Sequence, residues 1–418
     1  MAAAAHAQRL SRWTVGLLAL LLPLLASHAA FAQKEPPCPI GEDASKAFLQ
    51  AQTLFDQKDL DQARASARQA LGIQEEACGK LDPSVVPFYI LFGQILNEKK
   101  DLDSALDALL HALKIAELSL GHDHPDVAVI ASTLGIILHN RGDLDGALEY
   151  NQRALRIFEA GGPESQEAAI QVLSNMGTIL RAKGDLLRAR EVTRKALLKD
   201  MALFGSDHLR VVQRLSNLGM ILLSLGDLDG ALQETRRARQ ILERAPEPSD
   251  ADLAIALNNL GQIFRHKGDL DRAHAFFEDA RQMDEKTYGS DHPQVALRLH
   301  NIAGALYDKG DLDGALTTIR KALRIDTEAN GSDHLDVARD NHALAQILLA
   351  RGDLDGALQA CQTALSIDEV NVGASHPNMA RDNDTLAAIL LAQGDDEGAL
   401  RAARRALEIA DSTFKTDV

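Results

Sequence analysis

Serine, aspartate and histidine stand side by side at several places in this chain: Gly205-Ser206-Asp207-His208, Gly289-Ser290-Asp291-His292-Pro293 and Gly331-Ser332-Asp333-His334. These residue types supply the nucleophile, the orienting acid and the base of a hydrolase. A hydrolase gathers them once, from distant segments, and adjacent residues cannot adopt that geometry. Here the string recurs, as Gly121-His122-Asp123-His124-Pro125, as Gly373-Ala374-Ser375-His376-Pro377 and, more loosely, as Cys78-Gly79-Lys80-Leu81-Asp82-Pro83. A metal reading of the histidines fails for a related reason. Apart from His122 and His124, the strings offer one histidine each at most, and stacked units hold successive ones too far apart for metal bonds of about 2 Å. Cys-x-x-Cys and His-Glu-x-x-His are absent, and no strand pattern precedes a glycine-rich phosphate loop. The strings read better as connectors. Glycine stops one helix, Ser or Asp can cap the next, and proline suits its first position. Two connectors depart, at Gly161-Gly162-Pro163-Glu164 and Pro246-Glu247-Pro248-Ser249.

The elements that hold these connectors are organised by a second phrase, Gly-Asp-Leu-Asp-Gly-Ala-Leu. It stands verbatim at Gly142–Leu148, Gly226–Leu232, Gly310–Leu316 and Gly352–Leu358. Looser copies begin at 58, 100, 184, 268 and 394, so nine copies follow one another at a constant step of 42 residues. A fixed period of this size signals stacked supersecondary units. In the copy at 142, the glycine closes one helix in the left-handed conformation. Asp143 is the expected N-cap of the next helix, and Asp145 adds favourable charge at its positive end. Val127, Ile130, Leu134, Ile137 and Leu138 recur at helical spacing upstream, and Leu144, Ala147, Leu148, Ala154, Leu155 and Phe158 do so downstream. The phrase is therefore the turn of an antiparallel helix pair. Gly135, Ala147 and Ala154 are small enough to let the two backbones approach. One such pair cannot bury its apolar sides alone, whereas a stack of pairs can.

Composition agrees with a helical array: 418 residues, 46% hydrophobic and only 4% aromatic. The net charge is −16, and residues 1–32 hold two arginines and no acid, so the rest carries −18. That balance excludes general nucleic-acid or anionic-membrane binding, which needs a basic surface. No cofactor is expected, and no enzymatic activity.

The N-terminus reads as an address. Arg9 and Arg12 precede an apolar run, Val15–Ala26, followed by Ala30-Phe31-Ala32 and Gln33. This is the layout of a secretory signal peptide over residues 1–32. The run is shorter than the ~20 residues of a spanning helix, and Pro23 interrupts it, although an uncleaved anchor is the alternative. Residues 33–42 form a proline-rich linker, residues 43–410 hold the helix pairs with Asp43 as first cap, and residues 411–418 are a polar tail. The protein is expected to be exported, to the periplasm or beyond the cell. Cys38 lies before the first helix and Cys78 near the end of its partner. An antiparallel pair returns the chain to its starting end, so the two thiols can meet, and an oxidising compartment favours a disulfide. Three free thiols are the alternative. Cys361 reads as a small buried residue of a helix.

The Leu134-Gly135, Ala147, Ala154 pattern resembles the tetratricopeptide repeat, whose usual period is 34 residues. The 42-residue unit, with Gly-x-Asp-His-Pro-x-Val-Ala before its first helix and Asn217-Leu218-Gly219, Asn259-Leu260-Gly261 and Asn301-Ile302-Ala303 inside it, is similar to the kinesin light chain type. The resemblance covers most of the chain. It implies an all-α fold, a right-handed α-solenoid of nine units. It also implies that the first helix of each pair lines a concave groove that receives an extended peptide or partner protein.

The register supplied by the resemblance places Asn175, Asn217, Asn259 and Asn301 toward that groove, where an amide can donate to and accept from a peptide backbone. Gln171, Gln213, Arg339 and Arg381 take an earlier groove position, and Arg181 and Arg265 a later one. The same asparagines can instead bond between adjacent helices. The Lys/Asn carboxylate clamp of chaperone-binding members is not reproduced: its lysine positions hold Ser132, Ser174, Ser216, Asn258 and His300. The expectation is a non-enzymatic, monomeric interaction scaffold. The alternative is an envelope protein that assembles with itself. The last helix should then be polar outside if it is a cap, and Arg401, Arg404, Arg405 and Glu408 point to a cap.

Overall fold

The computed structural model describes residues 38–414; the segment read as a signal peptide lies outside the described residues, as do 33–37 and 415–418. Among the described residues there are eighteen α-helices and no strand. No helix among them is long and apolar enough to cross a membrane. The helices fall into two compact units that divide between Ala182 and Lys183.

The first unit contains α1 (Glu42–Asp56), α2 (Leu60–Cys78), α3 (Val86–Glu98), α4 (Leu102–Leu120), α5 (Pro125–Arg141), α6 (Leu144–Ala160) and α7 (Gln166–Ala182). The second contains α8 (Leu186–Phe204), α9 (Leu209–Ser224), α10 (Leu228–Arg244), α11 (Asp250–His266), α12 (Leu270–Tyr288), α13 (Pro293–Asp308), α14 (Leu312–Asn330), α15 (Leu335–Arg351), α16 (Leu354–Val372), α17 (Pro377–Gln393) and α18 (Asp396–Phe414). Within each unit a first helix packs on the second helix of its pair, and that second helix packs on the next first helix. First helices also touch one another, as α9 does α11 and α15 does α17.

The turn phrase folds as its residues require. Gly142 has φ of 89°, and its N–H and that of Asp143 return to the carbonyls of His139 and Leu138. Asp143 then accepts from Gly146 N–H at 2.9 Å. The first two turns carry Lys58 and Lys100 in place of the glycine, at the same left-handed φ of 63° and 64°. Close approach is real where it was expected. A Cβ on Gly135 would stand 2.0 Å from the Asn151 amide nitrogen and 3.1 Å from the Ala147 carbonyl.

The second aspartate of the phrase has a further partner. Asp103, Asp229, Asp271 and Asp313 pair with Arg141, Lys267, Lys309 and Arg351, each from the end of the next first helix, at 3.1, 2.6, 2.7 and 2.8 Å. Lys99 and Asp61 repeat the contact. A charge that favours its own helix end therefore also ties successive pairs together.

Three expectations need correction. Asp43 does not cap α1: the first helical bond closes on the Gly41 carbonyl, so Glu42 and Asp43 already lie in the first turn. α18 runs on to Phe414, past the expected end at residue 410, because no glycine or proline stops it. The outer face of α18 is also not wholly polar. Arg401, Arg404, Arg405 and Glu408 are exposed, but so are Leu400 (51%) and Leu407 (62%).

Cys38 and Cys78 are joined in a disulfide across 40 residues, with Cα atoms 5.7 Å apart. Beside it Gln74, fully buried, donates to the Ser84 hydroxyl at 2.9 Å and to the Pro39 carbonyl at 3.4 Å. Cys361 is a buried free thiol in the apolar core around α14–α17. Burial first, then the charge of Asp382, pushes its pKa up to about 12.

Candidate functional site

The connectors come first, because their residues invited chemistry. His124, His208, His292, His334 and His376 each occupy the N-cap of a first helix, and Nδ1 accepts the backbone N–H two residues on at 3.1–3.2 Å. Ser and Asp were expected to cap these helices. Histidine does so instead because Nδ1 lies as many bonds from Cα as an aspartate oxygen does. The serines turn elsewhere: Ser290 and Ser332 donate to Asp291 and Asp333, their own neighbours, at 3.1 Å. Three connectors are also tied from the following second helix. Arg153, Arg237 and Arg405 donate to the carbonyls of His122, Ser206 and Ala374, always 31 residues back. With Nδ1 engaged by the backbone, each of these histidines serves as a helix cap.

The groove candidates lie on the first helices. In the first unit, Gln171 donates to Asn175 Oδ1 at 3.2 Å on α7. The Asn175 Nδ2 is buried without a partner, and Asn175 helps line a small, partly open cleft with Val129, Ser132 and Phe158. Arg181 is exposed at the end of α7. Burial and the Arg181 charge hold His139 below the usual imidazole range.

In the second unit, Gln213 is half-buried and accepts from Arg214 at 2.8 Å. The Asn217 side chain is half-buried, and Asn259 is buried. Asn301 donates to Asn258 of the neighbouring first helix at 2.7 Å. Arg265 bonds Asp308, also on the next first helix, and lies across Gly304. Arg339 serves three carboxylates, with Nη1 2.6 Å from Asp336, Nη2 2.9 Å from Asp326 and Nε 3.3 Å from Asp340. Arg381 holds Asp382 through Nη2 at 3.0 Å and stands 3.7 Å from Asp368. The structure thus brings Asn301, Arg265, Arg339 and Arg381 into bonds that stitch helices together. Asn217 is half-buried at the equivalent position of α9.

The sequence reading passed over a set of charged groups in the interior. Asp200, Asp284, Asp326 and Asp368 occupy one register of the second helices, and all four are buried. The facing register of the next first helix holds Arg214, Arg298, Asp340 and Asp382, also buried. Arg214 Nε meets Asp200 at 3.0 Å and Arg298 Nε meets Asp284 at 2.8 Å. At the other two positions one carboxyl faces another. His300 Nδ1 adds a contact to Asp340 at 2.9 Å, and His342 Nδ1 to Asp382 at 2.8 Å. Burial and the neighbouring Asp340 charge push Asp326 up to about 7, against Arg339. Burial and Asp382 push Asp368 up to about 6. The signal was available: an acid recurring 42 residues apart inside an apolar stripe, where α10 has Leu242.

The helix stack, its turn phrase and its connectors match known proteins. Residues 182–414 match the family described as the MalT-like TPR region, and residues 51–84 and 87–160 match tetratricopeptide repeat families. No curated protein matches. Among solved structures, a Rap protein complexed with Competence and Sporulation Factor is similar over 89% of this chain and 98% of its own, at 16% identity and a TM-score of 0.59. The apo form of the quorum sensor NprR from B. thuringiensis is similar over 89% and 100%, at 15% identity and a TM-score of 0.57. A Podosopora anserina kinesin light chain-type protein with nearly identical TPR-like repeats covers 50% of this chain and 99% of its own, at 18% identity and a TM-score of 0.41. With residues 182–414, more than half of the sequence, matched to one family, the chain belongs to the tetratricopeptide repeat proteins.

Proposed function

We propose that this protein is a non-enzymatic interaction scaffold that binds an extended peptide, or an extended segment of a partner protein, along the faces of its first helices. The observation that carries this reading is the repeated amide on those helices. In the second unit Asn217 stands half-buried at the same position of its repeat as Asn259 and Asn301, 42 residues apart. That a Rap protein of similar fold was solved in complex with Competence and Sporulation Factor supports a binding role. Arg265, Arg339 and Arg381 then act as a stiff polar frame, because their carboxylate partners fix them. The −18 balance outside residues 1–32 favours basic partners over nucleic acid.

Panning displayed linear peptides against the full chain tests this. Asn217→Ala should weaken an enriched peptide about tenfold, the size of one lost hydrogen bond, with helicity unchanged. Unchanged affinity would remove Asn217 from the binding face.

The reading includes export. The residue 1–32 pattern and the Cys38–Cys78 disulfide support each other, since disulfides persist in oxidising compartments. Intact mass of secreted material should lack residues 1–32; their retention would contradict export by cleavage. A monomer is the expected state. Self-assembly through α18 is the second reading, favoured by exposed Leu400 and Leu407. Light scattering across concentration separates the two: a constant mass supports the monomer, and a rising mass that Leu400→Glu abolishes supports assembly.

A further inference from the structure

Four contacts between successive helix pairs of the second unit share one register and two chemistries. Between α8 and α9, and between α12 and α13, a buried aspartate meets a buried arginine. Between α14 and α15, and between α16 and α17, the two aspartates at these positions are both buried and their side chains interact with each other. At these last two, arginine stands one residue earlier, as Arg339 and Arg381.

The groups around each acid pair are few. Asp326 on α14 faces Asp340, Arg339 and Asp336 of α15. Asp340 also meets His300 of α13. Asp368 on α16 faces Asp382, Arg381 and the Asn378 amide of α17. Asp382 also meets His342 of α15, and its backbone carbonyl accepts from the Cys361 thiol at 3.4 Å. One guanidinium therefore serves at least two carboxyls at each place. Asp326 Oδ1, Asp340 Oδ2, both oxygens of Asp368 and Asp382 Oδ2 are buried without a hydrogen-bond partner. Such oxygens are costly as carboxylates. A single proton per pair turns one oxygen into a donor and leaves a net charge that one arginine can balance.

We propose that the α14–α15 and α16–α17 contacts are proton-set joints, each holding one proton between two buried aspartates when packed and loosening as that proton is lost to solvent. The linkage has a definite sign. Asp326 is raised to about 7 and Asp368 to about 6, both above the ordinary 3.8. The stabilisation is full below about pH 4 and is lost as pH rises to about 7 at the first joint and about 6 at the second. At Asp382 burial opposes ionisation, but His342 and Arg381 outweigh it and hold that carboxyl low, so within the second pair Asp368 keeps the proton.

Amide hydrogen exchange of the full chain, followed by mass spectrometry from pH 5 to pH 8 and corrected for intrinsic rates, tests the joints. Opening of peptides from α14–α17 should rise about tenfold per pH unit for each proton released, then level off near pH 7 at α14–α15 and near pH 6 at α16–α17. Peptides from α8, α9, α12 and α13 should rise less, because an arginine facing each aspartate opposes the effect of its burial. The double change R339L/D340R writes the Leu297–Arg298 arrangement into α15. It should flatten the α14–α15 profile and leave that of α16–α17 sloped. A flat wild-type profile in α14–α17, or an equal slope at the Asp–Arg contacts, overturns the proposal whether or not the variant folds.

Discussion

The α12–α13 and α14–α15 contacts sit one repeat apart, on the same helix geometry, and behave as different materials. Asp284 and Arg298 form a closed ion pair whose side chains are 2% and 3% exposed. Burial raises Asp284 and lowers Arg298, and each partner's charge opposes that shift. One repeat later the arginine stands one residue earlier on its helix. A single residue turns a side chain by about 100° around the axis. Arg339 is consequently 25% exposed, at the rim, and Asp340 takes the buried place. The lesson is that a repeat preserves backbone while a one-position exchange converts a fixed salt bridge into a titrating pair.

The sharpest way to break the comparison is to remove the cation where it is locked. Arg298→Ala should cost about 3–5 kcal/mol in denaturant unfolding, because Asp284 is left buried and alone. Changing both residues to leucine should recover most of that loss. Next in size is Asp326→Asn. It should stabilise the chain by roughly 1–3 kcal/mol at pH 8, a gain that shrinks as pH falls toward 4, where the wild-type carboxyl is protonated anyway.

The connector caps supply a control, since both regions share them. His292→Ala and His376→Ala should each cost about 1 kcal/mol near pH 8, read by thermal melting. Their pH dependence runs opposite to that of the acid pairs. Burial holds both imidazoles low, so the capping contribution is present above about 6.5 and is lost as pH falls. The smallest effect belongs to the surface ladder. Lys309→Ala opens an exposed pair with Asp271 and should cost no more than about 0.5 kcal/mol, less in high salt.

Much of the fold was legible because its signals are backbone signals. The 42-residue step, the left-handed turn glycine and the Asp143 cap follow from spacing and residue type. Side-chain destinations were less so. Asn301 has the composition of a ligand contact, yet its nearest acceptor is Asn258 on the adjacent helix, and only the stacking distance decides that. Arg339 and Arg381 read as free groove cations because their partners lie on another helix, 13 residues back at Asp326 and Asp368. The connector strings point to Ser or Asp as caps, yet histidine Nδ1 takes that role. The column Asp200, Asp284, Asp326, Asp368 becomes visible only when repeats are superposed, since each member alone looks like an ordinary polar helix residue.

The most direct measurement is the side-chain carboxyl ¹³C shift of Asp326 and Asp368, followed through a pH titration of the full chain labelled at aspartate. The expected midpoints are near 7 and near 6, well above that of Asp229 in the same sample, which the Lys267 bond holds low. Midpoints at the ordinary value close to 4 for both would show the pairs fully ionised when packed, and the distinction between locked and proton-set contacts would fall.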